Sequence, residues 1–391
     1  MSESHTAVVL GASLAGLPLA HWLVKHGAPS NKKLKVVLVA PNTHFYWNLA
    51  SVRGILPDQV PDDQLFYPIA PTFQNYPAKD RFEHIVGKAT ALDPAARNVK
   101  VVTAEGADRE ITYDTLIIAT GAAFRGDLPF KNLENTEATK ASLHNLQAAI
   151  KDAKSIVVAG AGHTGSEIAG ELGETYAIKG LKDITVIAES SLPLATPATP
   201  SVRQALATSL KAFKIKVITS ARVSSVSEGA DGKGKVLEVT KEDGTKETIN
   251  TDVYIPAFGV VPNSQFAPKE LLDSAGYFKQ TDELKVEGHD NIFVVGDVGN
   301  LQPATAKTIE EQLAHLAKAL PAHLAGQKLP PYKIDTKVMF AVSLGRNGGI
   351  GQLGTFKLFS MVVKYAKAKH LGTDYAGDYA AGKRTIQIKS W

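Results

Sequence analysis

The chain predicts an α/β fold built from two parallel-sheet nucleotide-binding units, the second inserted into the first, followed by a small C-terminal α+β unit. Three observations predict it. Two glycine-rich turns lie about 150 residues apart, Gly11-Ala12-Ser13-Leu14-Ala15-Gly16 and Gly160-Ala161-Gly162-His163-Thr164-Gly165. Each follows a β-branched apolar run and opens an Ala-rich, helix-prone stretch, the context in which a G-x-G-x-x-G pattern marks a dinucleotide site. The segment Tyr113–Gly121 is then echoed by Thr251–Gly259, as though the chain leaves its first unit and later returns. One such turn alone is weak, because a plain strand-to-helix turn needs the same glycines. Two in one chain, each with another apolar strand downstream, are hard to obtain by accident.

The elements follow in order. Strand Thr6–Leu10, helix Leu14–His26 and strand Lys35–Ala40 make a βαβ start with apolar strands suited to a sheet covered on both faces. A proline-dotted loop runs from Pro41 to Pro77, then strand Glu83–Asp93, a hairpin of Val99–Ala104 and Glu110–Tyr113, and the buried strand ending at Gly121. The second unit has strands Ser155–Ala159 and Asp183–Ala188 around a helix Thr164–Ile178, with further strands Lys216–Thr219, Lys235–Thr240 and Glu247–Asn250. A strand in Asn291–Asp297 and a helix Thr305–Leu324 complete the first unit. The expected boundaries are 1–126, 127–250, 251–329 and 330–391.

At 391 residues the chain is too long for one core. Apolar residues make up 44% and charged residues 21%, the balance of a soluble globular enzyme. A net charge of +4, from 43 basic against 39 acidic residues, carries no nucleic-acid signature. The absence of cysteine removes thiolate metal sites, thiol nucleophiles and any dithiol relay. No histidine pair has metal-ligand spacing and no G-x-S-x-G occurs, so neither a metal site nor a hydrolase is expected. Residues 1–5 lack a basic region before an apolar one, position 2 is not glycine, and no apolar run nears membrane-spanning length. The expected location is cytoplasmic, either soluble or peripheral to a membrane such as that of a mitochondrion or lipid droplet.

In the first motif Gly11 permits the tight turn, Gly16 lets helix and sheet pack closely, and the helix N-terminus faces a pyrophosphate. Ser13 replaces the middle glycine. Ala40 stands where an acid gripping the adenosine ribose is usual, leaving Asn42 for that role or a weaker hold. Asp297, just after a buried strand, can accept from ribityl hydroxyls or simply cap a helix. The second motif keeps all three glycines and suits a nicotinamide dinucleotide. Glu189, after the strand Ile184–Ile187, would bond ribose hydroxyls and repel a 2′-phosphate, and no Arg follows within ten residues. NADH is therefore favoured over NADPH. Glu167 complements the helix dipole or reaches the junction of nicotinamide and flavin.

These residues, with His44–Arg53 and Ser343–Gln352, resemble the two-dinucleotide-binding-domain FAD/NAD(P) oxidoreductases. Within that group they resemble the apoptosis-inducing-factor-like, ferroptosis-suppressor-type quinone reductases, as a fungal-type member. The resemblance covers nearly the whole chain and implies Rossmann-like domains, non-covalent FAD, NADH or NADPH as donor and a quinone-like acceptor. It places Asn48 and Arg53 near the flavin and matches Glu167 to the carboxylate of the second motif. Candidate cofactor contacts also include Leu14, Ala15, Val86, Ala119, Thr120, Gly121, Thr164 and Gly259. Glu167 and Lys307 are candidate proton donors. The alternatives are a tailoring oxidoreductase or oxidase acting on a specialised metabolite, and a ferredoxin-type reductase.

The tail reads as one amphipathic helix over 355–370. Lys357, Lys364 and Lys367 fall on one stripe, and Phe356, Phe359, Val362, Val363 and Ala366 form the opposite arc. That arc either packs on its own domain or touches lipid and admits a membrane quinone.

Overall fold

A computed structural model describes residues 4–391 except Lys32, Arg125 and Asp231, so most of the N-terminal pentapeptide lies outside the described residues. The first sheet runs Ile292–Val294, Thr115–Ile118, His5–Leu10, Leu34–Ala40 and Phe82–Asp93, all parallel. Its central strands are buried on both faces, which is why they read as unbroken apolar runs. Phe82–Asp93 is long enough to change partners. Its first half pairs with Leu34–Ala40 and its second half pairs antiparallel with Asn98–Thr103, which carries Asp108–Thr112.

The second sheet orders Lys216–Ile218, Asp183–Ile187, Ser155–Ala159 and Val253–Pro256, again all parallel. The chain therefore leaves this sheet after residue 256, beyond the expected boundary at 250. Ile292–Val294 then joins the first sheet, so the second unit is inserted in the first. Strand Ala221–Glu228, absent from the sequence reading, pairs with Lys235–Lys241, and Lys246–Thr251 completes that antiparallel ribbon. Its mostly exposed, serine-rich sequence hides the strand from a burial pattern. The expected helix Leu14–His26 is an α-helix Gly16–Trp22 running into a π-turn Leu23–Gly27.

The C-terminal unit corrects the expectation for 355–370. Met339–Ser343, Gly349–Leu353 and Phe356–Leu358 form an antiparallel sheet, followed by a short helix Ser360–Val363 and a π-turn Lys364–Ala368. Gly354, at φ +59°, reverses the chain and commits the backbone of Phe356–Leu358 to the ladder instead of a helix. Of the expected apolar arc only Val363 is buried; Phe356, Phe359 and Val362 are exposed.

One face of helix His163–Thr175 holds this unit in place. Glu167, Glu171 and Glu174 are spaced four and three apart, which aligns them along the helix. Glu171 accepts from Arg53 Nε at 2.8 Å and Nη2 at 2.7 Å, and Arg53 also donates to the carbonyls of Ala368 and Lys369. Glu174 accepts from the Arg346 and Asn347 amides. Between these acids Gly170 lies so close to Leu344 that a Cβ would fall 2.7 Å from its Cα. Arg53 is thus a tie among three parts of the chain.

Both side chains of the Arg53–Glu171 pair are at most 2% exposed. Removing one partner strands a buried charge, so Glu171→Ala is expected to cost about 3–5 kcal/mol in urea unfolding. The double variant Arg53→Met/Glu171→Leu should recover most of that loss. A single variant within 1 kcal/mol of wild type would contradict the assignment.

Candidate active site

The two glycine turns are built alike. Gly11 and Gly160 both sit at φ +102°, outside the range open to other residues. Gly11 N–H donates to Val39 O and Gly160 N–H to Ile187 O, each at 2.8 Å, so each turn is hung from the neighbouring strand. A Cβ on Gly16 would strike the Gly11 carbonyl, and one on Gly165 the Gly160 carbonyl. Ala119 backs the first turn and Ala257 the second, donating N–H to Leu10 O and Ala159 O. The turns differ at the middle position. Gly162 has nothing within 4 Å of where its Cβ would be, whereas Ser13 stands in the first turn.

Around the first turn, Leu14 and Ala15 are buried, and Gly296 packs so that its Cβ would meet that of Ala15 at 3.3 Å. This brings Asp297 beside the turn, where Lys131 Nζ lies 2.6 Å from its Oδ2. Lys131 carried no sequence signal, since only the fold brings residue 131 across to 297. Val86 lies opposite Ala40 at the strand ends. Thr120 and Gly121 are tied to the returning chain: Thr120 Oγ1 donates to Asn263 O, and the amides of Asn263 donate to Thr120 O and Gly121 O. Gly259, at φ +73°, immediately precedes the strand Val260–Pro262 that pairs with Ala122–Phe124.

Chain segments that follow strand Leu34–Ala40, Phe130 and Asp297 carry buried acceptors without partners. The buried side-chain oxygens of Asn42, Asn48, Asn132 and Gln302 have no hydrogen-bond partner. Asn48 donates its own amide to Phe130 O, Asn132 adjoins Lys131, and Gln302 lies in the loop after Asp297. An unpaired buried acceptor costs roughly 1–3 kcal/mol. A ligand bearing ribose and ribityl hydroxyls and ring N–H groups supplies such donors. These residues fit FAD.

Around the second turn, Thr164 occupies the first turn of helix His163–Thr175, and Glu189 is exposed after strand Asp183–Ile187. Arg203 qualifies the sequence reading of this region. It lies fourteen positions beyond Glu189, yet its guanidinium donates to Ser190 Oγ at 3.2 Å, Leu192 O at 2.8 Å and Pro193 O at 3.2 Å. A positive charge therefore does stand beside the loop that follows Glu189.

The two candidate proton donors are held separately. Lys307 lies 2.6 Å from Glu311 and 3.3 Å from Asp335. Burial acts the other way, but these two carboxylates hold its ammonium above its ordinary range. Glu167, 8% exposed, instead meets Lys367, whose Nζ is 2.6 Å from Oε1. The same oxygen accepts from Ser343 N at 2.8 Å and Ser343 Oγ at 3.0 Å, and Lys367 also donates to Ala341 O. His163 packs edge-on against Phe340 beside this group. The C-terminal unit thus roofs the N-terminal end of the second nucleotide helix and delivers a lysine there. No cluster of three or more potential metal ligands occurs among the described residues.

The contrast between the glycines is testable. Gly165→Ala drives a Cβ into backbone and is expected to cost about 3 kcal/mol or more, or to prevent folding. Gly162→Ala meets open space and should keep the wild-type melting temperature. Equal stability of both variants in thermal unfolding would contradict the packing of this turn.

The family model described as pyridine nucleotide-disulphide oxidoreductase matches residues 5–315. Oxidoreductase ptaL of Pestalotiopsis fici is 37% identical, over 91% of this chain and 94% of that protein. Ferroptosis suppressor protein 1 of Homo sapiens is 26% identical, over 93% of this chain and 92% of that one. The sulfide:quinone oxidoreductase of Aquifex aeolicus shares the fold at a TM-score of 0.75 with 16% identity, over 97% and 92% of the two chains. The chain belongs to the pyridine nucleotide-disulphide oxidoreductase family and is an oxidoreductase.

Proposed function

We propose that the chain passes reducing equivalents from NADH or NADPH, with NADH favoured, through bound FAD to a quinone-type acceptor. The observation that carries this reading is the pair of matching turns, with the Glu167–Lys367 pair at the second. With no cysteine, the chain has no dithiol through which electrons could leave, so transfer to the acceptor is direct.

In this reading the residues of the first turn would hold FAD. The turn's amides after Gly11, whose own N–H is taken by Val39 O, would hold its pyrophosphate, Asn42 the adenosine ribose beside Val86, and Asp297 with Lys131 the ribityl chain. Bound there, it supplies a two-electron carrier between donor and acceptor. The donor's pyrophosphate lies over Gly162, where the open face admits close backbone approach. Glu189 accepts from its ribose hydroxyls. Arg203 offsets the repulsion of a 2′-phosphate, so the preference for NADH is a graded one.

Reduction of a quinone by NADH consumes one further proton. Lys367 Nζ, held at Glu167 and 32% exposed, joins Glu167 and Lys307 as a candidate for delivering it. Glu167 fixes that ammonium, and Ser343 fixes Glu167. The Aquifex structure, a sulfide:quinone oxidoreductase, supports a quinone-type acceptor. A second reading, with a specialised metabolite as acceptor, draws support from the higher identity to the fungal oxidoreductase ptaL.

The experiment is steady-state oxidation of NADH by the purified protein with a short-chain quinone, a ferredoxin or oxygen alone as acceptor. Turnover with the quinone at least tenfold above the other two is expected; no quinone turnover would reject the acceptor. Asp297→Ala should weaken FAD binding by roughly 1.5–3 kcal/mol, the worth of a charged hydrogen bond, and purify mostly as apoprotein. Full flavin stoichiometry after dialysis would contradict that role.

A further inference from the structure

The chain that brings Lys367 to the second glycine turn runs on to the helix of the first. Residues 371–391 bond to Leu14, Pro18, His21 and Lys25, which step by four, three and four down one side of the first turn and its helix. Tyr379 Oη donates to Leu14 O at 2.6 Å, and Trp391 Nε1 donates to Pro18 O at 2.7 Å. His21 Nε2 donates to Ala380 O at 2.9 Å, and Lys25 Nζ donates to Trp391 O. The tail is also bound to helix Ala306–Leu324. There Glu310 accepts from Thr385 Oγ1 at 2.5 Å, Ile386 N at 3.1 Å and Gln387 N at 2.8 Å.

The bond to Leu14 differs from the rest. Leu17 N donates to Ser13 O at 3.1 Å, so the helical bonding has already begun there. Its next member would join residue 18 to Leu14 O, and residue 18 is proline, which has no N–H to give. The Tyr379 hydroxyl fills that place. Its ring is fully buried, stacked on Phe45 with centroids 5.6 Å apart and edge-on to Trp47 at 5.2 Å, so the packing fixes where the hydroxyl stands. Burial also pushes the phenol well above its ordinary range, which keeps it a donor.

Leu14 O and the Ala15 N–H belong to one planar trans peptide and point in opposite directions. Whatever holds that carbonyl sets that amide. Ala15 lies in the turn just before Gly16, so its N–H is among the amides that would hold a pyrophosphate. We propose that Tyr379 is a positioning residue for FAD: standing in for the N–H that Pro18 lacks, it fixes the Leu14–Ala15 peptide and so preorganises the Ala15 amide. The role toward FAD rests on the cofactor reading above; the bonding of the tail to the helix does not.

The test is titration of FAD into the full chain stripped of flavin, followed by quenching of flavin fluorescence. Tyr379→Phe keeps the ring and loses only the hydroxyl, and its Kd for FAD is expected to rise about tenfold. Pro18→Ala supplies the missing N–H. In that background Tyr379→Phe should change the Kd by less than about twofold. Thr385→Val loosens the tail from Glu310 and leaves Leu14 alone, so its Kd should stay within about twofold of wild type. A tyrosine that only held the fold together would lower the melting temperature of the stripped protein and leave the Kd unmoved. Wild-type affinity in Tyr379→Phe therefore overturns the proposal while leaving the cofactor reading intact. So does a loss of affinity that Pro18→Ala fails to rescue, or one that Thr385→Val reproduces. A wild-type chain that binds no FAD rejects the cofactor reading itself, and this proposal with it.

Discussion

Everything near the second cleft depends on one row of carboxylates. Glu167, Glu171 and Glu174 stand along one side of helix His163–Thr175, and each engages a different piece of chain. The row faces the C-terminal unit, and Gly170 removes the side chain that would hold the two apart. The buried Arg53–Glu171 pair does not by itself make the protein more stable than an apolar contact would. What it does is fix register: Arg53 reads two carbonyls at the end of the π-turn, so that turn can sit in only one place. Lys367 is set opposite Glu167 as a consequence.

That arrangement joins two demands. A nucleotide fold needs an open helix N-terminus to receive a phosphate, and redox chemistry needs that opening closed to bulk water. Here the second glycine turn stays open at Gly162 while the C-terminal sheet covers the next turn of the same helix through Ser343. The first cleft is arranged differently. Segments around the first turn carry amide oxygens lacking partners and the Lys131–Asp297 pair, a set of groups suited to a ligand rich in hydroxyls.

The glycine turns were legible because their constraint is local: φ and the missing Cβ act within five residues and leave a pattern. Strand Ser155–Ala159 falls where the apolar run put it, and the helix after Thr305 begins one residue later, for the same reason. Long-range partners leave no such mark. Nothing in the neighbourhood of residue 189 announces Arg203, nothing at Asp297 announces Lys131, and the spacing of the three glutamates does not say what they hold. In the tail, an apolar arc drawn at helical period failed because Gly354 turns the chain and the first three residues pair as a strand. An arc also cannot tell inward from outward, and here its aromatics face out.

The central claim is that this chain binds a flavin at the first turn and is reduced by a nicotinamide dinucleotide bound at the second. The most direct measurement is the ultraviolet–visible spectrum of the purified protein followed by anaerobic titration with NADH. The account predicts an oxidised flavin spectrum, about one flavin per chain, that bleaches with a single equivalent of NADH. A flavin-free protein that binds no added FAD, or a flavin that neither NADH nor NADPH bleaches, would contradict it.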